Sequence, residues 1–388
     1  MTTLIKKGTM RIAFILIVLL LLAIGGSIWL ISWHAKNRQY FVGGIIIYRD
    51  DDFTNHYNFP GNGTKEDPYR IEDIIISTKK PFGIKISRTN SHFIIRNCII
   101  TAKFPIVLAN VSYGSAIIEN NTLIGQYEPS IELIYCPGSI VRNNFCIGSS
   151  RYGRGIETTG CYDSIISNNI CNNMSIGLHL LGLNDNLIVN NNTSCNNEYG
   201  IRFVHEDNFL YGQYVESQSI VIANNTCNNN SELGILVSWV QNSSILGNNC
   251  SNNGRSGFAM RGMNITIMNN YFSFNGMGMF IDYLINSTLS NNLFFNNTGL
   301  AIEADDCTNT VIYANNFINN YYAGLLLNKS QVNDDSNSAS DYGPNIWYNA
   351  TLSQGNYWSE LIWFPGVTYA IDGSDNEDLY PLENPVSF

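Results

Sequence analysis

Asn-Asn pairs recur along this chain at a nearly constant interval, and that interval constrains the fold more than any other feature. The pairs begin at residues 120, 143, 168, 191, 224, 248, 269, 291 and 315. Apart from one interval of 33 residues, successive pairs are 21 to 25 residues apart. A fixed period of this length is typical of solenoids, in which each repeat is a structural unit that stacks on its neighbours.

Each repeat contains a short segment in which apolar and variable residues alternate, usually after a glycine, as in Gly200-Ile-Arg-Phe-Val204. This alternation indicates a β-strand with one buried face. A second apolar segment precedes each Asn pair, and a shorter one follows it. With no helical stretch between them, these strands predict an all-β, single-stranded parallel β-helix of about eleven coils.

The Asn pairs suit a structural role in such coils. Asn tolerates the left-handed backbone conformation of tight corners, and stacked amides can hydrogen-bond along the helix axis. Four cysteines each lie three residues after a paired Asn, which predicts an inward stack of thiols: Cys146, Cys171, Cys195 and Cys227. Cys136 and Cys161 share a register on adjacent coils and could form a disulfide in an oxidising compartment.

The N-terminus contains 22 consecutive residues without a formal charge, Ile12 to Trp33. This run is long enough to cross the roughly 30 Å hydrocarbon core of a bilayer as a helix. Basic residues precede it and Trp33 ends it, so we expect a signal anchor with the body outside the cytoplasm. A cleaved signal peptide is the alternative.

The predicted organisation has five parts: a cytoplasmic tail (1–11), a transmembrane anchor (12–33), a linker with the N-terminal cap (34–75), the β-helix (76–330) and a C-terminal closing segment (331–388). After residue 40 the chain carries 16 Lys and Arg against 31 Asp and Glu. Such an acidic body is a poor binder of nucleic acid. Sugars, cationic surfaces and divalent cations are the partners that the charge favours.

Three stretches resemble the right-handed β-helix repeat family grouped with NosD, a periplasmic protein associated with copper-site maturation. They are the opening segment 61–72, the recurring I-x-x-N-x-x-x-x-N-x-x-G-I/L coil, and Gly355-Asn-Tyr-Trp-Ser359 with a later Asp378-Leu-Tyr-Pro-Leu382. The resemblance implies a right-handed β-helix of the carbohydrate-binding or sugar-hydrolase type. It does not by itself assign a function. Five His and scattered Met residues do not support the copper role, and the Asp-Pro-His-Asp motif of β-helix epimerases is missing.

Alignment of the coils predicts an outward row of titratable residues on four consecutive coils. The row contains Glu132, Glu157, His179 and Arg202. Two glutamates one coil apart would approach the roughly 5 Å separation of a retaining glycosidase pair. Glu132, Glu157 and His179 are therefore the candidate catalytic residues. Arg202 is a candidate anion clamp.

The interval after Gly200 contains about ten extra residues, which should form a loop beside this row. Aromatic residues in such a loop could stack on sugar rings, and loops often carry function. With Arg202, the candidate ligand-binding residues there are His205, Glu206, Asp207, Tyr211 and Tyr214. Ordinary solvated side chains are the alternative interpretation.

Two further surfaces follow from the alignment. Glu303, Asp305 and Asp306 form an acidic cluster that could hold calcium, although its spacing is not that of an EF-hand. No other cofactor is expected. An apolar stripe of Leu236, Ala259, Phe280, Ala301 and Leu326 is expected to face outward, where it could mediate self-association unless the Trp-rich tail covers it.

Three functions remain open at this point. The first is a membrane-anchored surface module that binds glycans through the polar row and the inserted loop. The second is an enzyme acting on polysaccharide, whether hydrolase, lyase or epimerase, with Glu132 and Glu157 as its carboxylates. The third is a structural surface protein or adhesin without a small-molecule ligand.

Overall fold

The chain folds into an all-β, right-handed parallel β-solenoid. A computed structural model describes residues 39–41, 43–148, 152–205, 216–320, 330–335, 344–373 and 376–387. Each coil contributes short strands to parallel sheets that run the length of the molecule, here named sheets A, B and C. Sheet B stacks twelve strands in sequence order and sheet C eleven, close to the predicted eleven coils.

Sheet B carries the outward row predicted above. Its stacked strands are Ile45–Ile47, Phe82–Ser87, Phe104–Ala109, Ile131–Ile134, Arg154–Thr159, Ile176–Leu181, Tyr199–Val204, Leu233–Gln241, Ser256–Met263, Met277–Ile285, Ile302–Asp305 and Val332–Asp334, with Ser217–Gln218 paired to the eighth. Sheet C contains Tyr69–Glu72, Phe93–Arg96, Ala116–Glu119, Ile140–Arg142, Ile165–Ser167, Ile188–Asn190, Val221–Ala223, Ser244–Leu246, Thr266–Met268, Thr288–Ser290 and Val311–Tyr313.

Sheet A has two segments of regular strands. The first contains Gln39–Phe41, Ile74–Ser77, Ile99–Ala102, Thr122–Gly125, Phe145–Gly148 and Ile170–Asn172. The second contains Asn249–Ser251, Tyr271–Ser273, Leu293–Phe295, Asn316–Ile318 and Tyr357–Trp358. Single parallel bridges from Ile170 through Thr193 and Thr226 to Asn249 connect the two segments.

The two residues of an Asn pair have different roles: one forms the left-handed corner, and the other stacks its amide along the helix axis. At most corners the first Asn takes the left-handed conformation, as Asn120 does with φ 57°. The second Asn, or the first at the pairs 248–249 and 315–316, is buried and donates its amide to the Asn of the next coil at 2.9 to 3.0 Å. This ladder consists of Asn121, Asn144, Asn169, Asn192, Asn225, Asn248, Asn270, Asn292, Asn315 and Asn356.

A second amide ladder lies at another corner of the C-terminal half. It consists of Asn230, Asn253, Asn275, Asn297, Asn320 and Gln331, linked at 2.7 to 3.0 Å. The first ladder also satisfies buried backbone groups. Each of its Asn oxygens accepts a hydrogen bond from a backbone N–H of the preceding coil, as Asn248 Oδ1 does from Asn225 N at 3.0 Å. The buried amides of the ladders, and the backbone groups that they bond, are therefore paired along the axis, as a solenoid interior requires.

The inward thiol stack is confirmed in part. Cys146 pairs in register with Cys171. The bridges at Thr193 and Thr226 place Ser194, not Cys195, next in the row, followed by Cys227 and Cys250. The prediction for Cys195 was wrong because three consecutive Asn residues (190–192) shift the count by one. Cys136 and Cys161 are both free thiols, so the possible disulfide between them is not formed in this structure.

Aromatic stacking closes the C-terminal end of the interior. Phe294, Phe317, Trp358 and Tyr369 follow one another with ring centroids 5.1, 4.4 and 3.9 Å apart. The indole nitrogens of Trp347 and Trp358 donate to the buried carboxylates of Asp334 and Asp378, each at 2.9 Å. These two tryptophans are therefore part of the core and do not cover the outer face of sheet B. Strands Tyr369–Ala370 and Glu377–Asp378 form a small antiparallel pair beyond them.

A short helix, Asp52–Asn55, covers the N-terminal end of the solenoid. Its buried Phe53 stacks on Tyr69 with ring centroids 4.5 Å apart. Within the residues that the structure describes, no helix has the length and apolar character needed to cross a membrane. The expected anchor at 12–33 lies outside those residues.

Candidate functional site

The outer face of sheet B brings the predicted polar row together. Glu132 is the register partner of Glu157, Glu157 of His179, and His179 of Arg202. Neighbouring strands lie about 4.8 Å apart, so the four side chains follow one another across four coils. The stacking of these residues is thus as the repeat spacing predicted, whereas their chemical roles stay predictions.

Glu157 and His179 form the centre of the row. His179 Nδ1 lies 2.8 Å from Glu157 Oε2. The same oxygen accepts a hydrogen bond from Arg154, at the start of the same strand. Glu157 and His179 are only 7% and 6% exposed although both stand on the outward face.

The ionisation of Glu157 follows from these contacts. Burial raises the pKa of a carboxyl group, because it penalises the charged form. The hydrogen bond from His179 and the charge of Arg154 outweigh that penalty and lower the pKa of Glu157 below its ordinary value. Glu157 is therefore a carboxylate near neutral pH, and His179 Nδ1 carries the shared proton because a carboxylate has none to donate.

Glu132 is shifted in the opposite direction. Burial raises the pKa of this half-buried carboxyl, and the neighbouring charges of Glu157 and Glu128 raise it further. The charges of Arg154 and Lys85 oppose this shift without cancelling it. Two neighbouring carboxyls with pKa values moved apart form the arrangement by which protein sites separate a proton donor from a proton acceptor.

The second ring nitrogen of His179 is one of several buried side-chain nitrogen and oxygen atoms without a hydrogen-bond partner among the described residues. Nε2 is buried and has no hydrogen-bond partner. Leaving a buried polar atom unpaired costs about 1 to 3 kcal/mol, so such an atom needs an explanation. A ligand hydroxyl would satisfy it.

The remaining predicted ligand residues are only partly placed. Arg202 lies over the ring of Tyr199, with its guanidinium carbon 5.7 Å from the ring centroid. His205 follows strand Tyr199–Val204 and is half-buried. Glu206, Asp207, Tyr211 and Tyr214 lie outside the described residues, so their role as ligand contacts stays a prediction.

Sequence reasoning missed two features beside the row. One is a cavity of about 590 Å³ where sheet B strands begin, whose lining includes Tyr152, Glu198 and Glu232. The other is a group of exposed tyrosines where these strands end: Tyr113, Tyr135 and Tyr162. Comparing the corners of successive coils, and not only the strands, would have drawn attention to the tyrosines.

The prediction of an outward apolar stripe was wrong beyond Phe280. Leu236, Ala259 and Phe280 are register partners, as expected, but the next residue in the row is Glu303. Ala301 is buried, and Leu326 lies outside the described residues, with Asn333 beside Glu303 instead. The cause is Gly299, which lies against Gly276 and not Gly278, so the coil is displaced by two residues. Self-association through the shortened stripe stays a prediction.

The acidic residues of the late coils are the predicted calcium ligands. Asp305 is the register partner of Asp282, while Asp306 follows the strand in a left-handed conformation. Across the described ranges, no three His, Cys, Asp or Glu side chains gather as a ligand group. The calcium site at Glu303, Asp305 and Asp306 stays a prediction. Among the described residues, the stacked thiols do not fit a copper site either, since they are enclosed in the apolar interior.

The sequence matches two family profiles. One, described as "Periplasmic copper-binding protein (NosD)", matches residues 44–206. The other, described as "Right handed beta helix region", matches residues 213–357. Over these two stretches the chain is similar to NosD and to other right-handed β-helix proteins. No curated protein sequence matches it.

Solved β-helix structures are similar to this NosD-like chain at low identity. A double mutant of the periplasmic alginate epimerase AlgG is 16% identical, with a TM-score of 0.45 over 63% of this chain and 75% of the epimerase. The A-module of the Azotobacter vinelandii mannuronan C-5 epimerase AlgE6 is 12% identical, with a TM-score of 0.46 over 85% and 99%. A tailspike of E. coli bacteriophage HK620, in complex with a hexasaccharide, is 11% identical, with a TM-score of 0.46 over 71% and 59%. These likenesses concern the fold alone.

Proposed function

We propose that this chain is a membrane-anchored, extracytoplasmic β-helix that binds neutral glycans on the outer face of sheet B. The observation that carries the proposal is the buried Glu157–His179 pair with its unpaired Nε2. A β-helix needs only an apolar inner face to fold. Buried ionised groups on the outer face do not serve that purpose and cost free energy to desolvate.

The chemistry of the row suits sugar hydroxyls. The Glu157 carboxylate accepts hydrogen bonds, the neutral His179 ring accepts at Nε2, and the Arg202 guanidinium donates. The cavity of about 590 Å³, whose lining includes Glu198, adds a concave surface where the sheet B strands begin. The acidic body disfavours polyanions by long-range repulsion, so neutral or amino-sugar chains are the favoured class.

Direct titration tests this proposal. The full-length protein is titrated with cellohexaose, chitohexaose and a mannuronate hexamer by isothermal calorimetry. We expect binding of a neutral hexamer, weakened about tenfold or more in Glu157→Gln, because hydrogen bonds to charged groups contribute about 1.5 to 3 kcal/mol. Glu66→Gln, an exposed glutamate in the opening segment, is the control and should bind like the wild type. Absence of binding to both neutral hexamers contradicts the proposal, whether or not the anionic mannuronate hexamer binds.

A polysaccharide-processing activity is the second candidate. It is favoured by the opposite pKa shifts of Glu132 and Glu157, which place a carboxyl that is protonated more readily beside one that ionises more readily. A hydrolase would release reducing ends from a bound polymer, and a lyase would produce unsaturated ends absorbing in the ultraviolet. Product that forms with wild type and disappears in both Glu132→Gln and Glu157→Gln would establish this activity. Binding without product leaves a binding module.

The membrane anchor is a separate part of the proposal. The apolar run 12–33 supports it, and the periplasmic description of the matching family supports an extracytoplasmic body. Protease added to intact cells or spheroplasts should digest the β-helix, while a tag fused before residue 1 stays protected. Deletion of 12–33 should release the body from the membrane fraction. A protected body and a digested tag would reverse the orientation.

A further inference from the structure

Three exposed tyrosines occupy the corner where sheet B ends and the chain turns into sheet C. Tyr113, Tyr135 and Tyr162 are 61%, 59% and 45% exposed. They follow strands Phe104–Ala109, Ile131–Ile134 and Arg154–Thr159, which lie on three consecutive coils. The last two of these strands carry Glu132 and Glu157, so the corner borders the proposed glycan site.

Tyr113 and Tyr162 lean toward each other across an intervening coil. The backbone of that coil is at Pro137, whose carbonyl accepts from Gly114, while Gly138 donates to the carbonyl of Tyr162. Side chains two coils apart start from backbones roughly 9.6 Å apart. The two ring centroids are nevertheless only 6.3 Å apart, with 35° between the ring planes.

The ring of Tyr135 lies against the neighbouring coil. A Cβ atom added to Gly160 would come within 2.7 Å of Tyr135 Cδ1, so the ring covers the backbone of that glycine. Gly160 also has φ 64°, which a side chain would strain. The absence of a side chain at residue 160 thus provides the space in which the ring of Tyr135 lies.

The hydroxyl of Tyr113 is bound by a polar group at this corner, the carboxylate of Asp163. The charge of Asp163, together with the hydrogen bond it accepts from the Tyr113 hydroxyl, raises the pKa of Tyr113. Asp163 Oδ1 also accepts a hydrogen bond from Asn186 Nδ2 on the next coil, at 2.8 Å. The Tyr113 ring is therefore oriented by its hydroxyl while it remains in solvent.

We propose that Tyr113, Tyr135 and Tyr162 form an aromatic platform on which pyranose rings of the glycan stack. This inference rests on the proposed function and extends it to a sugar class, neutral hexopyranoses with a flat C–H face. Rigid aromatic rings with polar tips match such ligands, which present an apolar face and hydroxyls at the rim. The continuity of the platform with Glu132 and Glu157, and its polar rim of Asp163 and Asn186, favour a sugar chain over an apolar protein surface.

Substitution of single rings tests the platform in the full-length protein. Tyr162→Ala removes a stacking surface and should weaken binding of the neutral hexamer about tenfold, whereas Tyr162→Phe keeps the ring and should bind within about twofold of wild type. Tyr40→Ala is the matched control, because Tyr40 is 73% exposed on sheet A. Circular dichroism and urea midpoints check that each variant is folded.

The outcomes separate the platform from the function it depends on. Equal affinities for Tyr162→Ala and Tyr40→Ala, together with weakened binding by Glu157→Gln, overturn the platform and leave glycan binding at the polar row. Affinities unchanged in all of these variants overturn both. A loss in Tyr162→Phe as large as that in Tyr162→Ala would assign the effect to the hydroxyl and overturn stacking.

Discussion

His179 donates a hydrogen bond through Nδ1 to Glu157 Oε2 across two adjacent coils, at 2.8 Å, on the outer face of the solenoid. This bond fixes the proton on Nδ1 whenever the ring is neutral, because the carboxylate can only accept. Nε2 is then an acceptor available to a ligand. Two outward positions of the repeat thus form a site in which Nδ1 carries the proton and Nε2 accepts a hydrogen bond from a ligand.

The first prediction concerns stability at low pH. The folded pKa of Glu157 is below its ordinary value of 4.5, so the unfolded chain binds this proton more readily. Its contribution to the free energy of unfolding is therefore complete above about pH 4.5 and is lost as the pH falls through the folded pKa. Urea midpoints measured from pH 6 to pH 3 should decline less steeply in Glu157→Gln. Equal slopes would contradict the prediction.

Asp378 should have the opposite pH dependence. Burial raises the pKa of this carboxyl to about 6, despite hydrogen bonds from Asn356, Trp358 and Tyr380. The folded state then binds the proton more tightly than the unfolded chain, whose ordinary value is 3.8. The stabilisation is complete below about pH 3.8 and is lost as the pH rises to about 6. It amounts to roughly 3 kcal/mol at about 1.4 kcal/mol per pKa unit.

Comparison of two neighbouring variants measures this effect. Asp378→Asn should reduce the loss of stability between pH 4 and pH 7 relative to wild type, as followed by the fluorescence of the closing tryptophans during urea unfolding. Glu377→Gln changes an adjacent, exposed carboxyl and should leave the slope unchanged. A slope altered equally by both variants would assign the effect to net charge.

The amide ladder should be sensitive to loss of a single member. Asn248 Nδ2 donates to Ile222 O and Asn270 Oδ1 at 2.9 and 3.0 Å, and its oxygen accepts from Asn225. Asn248→Ala leaves these buried groups unpaired, so we expect a loss of about 2 to 4 kcal/mol in the free energy of unfolding. Asn55→Ala, at an exposed helical position, should change it by less than about 0.5 kcal/mol. Equal losses in the two variants would refute a structural role for the ladder.

Thiol labelling tests the inward stack. Eight of the nine cysteines are buried, and Cys195 alone is partly exposed. Burial also raises the pKa of Cys195, so its thiolate is scarce near neutral pH and labelling should be slow. Iodoacetamide should modify at most this one thiol in the native protein, and mass spectrometry after unfolding in denaturant should find nine modified residues. Early native labelling of Cys171 or Cys227 would place the stack outside the core.

Much of the scaffold could be predicted from the sequence because a repeat applies one rule many times. The Asn period and the alternation after each glycine predict parallel strands, an inward apolar face and a ladder. The same spacing aligned Glu132, Glu157, His179 and Arg202 correctly. Alignment by residue spacing failed at two positions. At Cys195 an additional Asn shifts the register by one residue, and at Ala301 a displaced glycine shifts it by two residues.

The sequence alone therefore determined which residues repeat, and hence which positions stack on sheet B. Only the tertiary structure decided that Glu157 and His179 are buried in contact and that Glu132 and Glu157 have pKa values shifted in opposite directions. It also decided that Tyr113 and Tyr162 meet across an intervening coil. These properties depend on side-chain direction, on burial and on charges from several coils, and a period in the sequence contains none of this information.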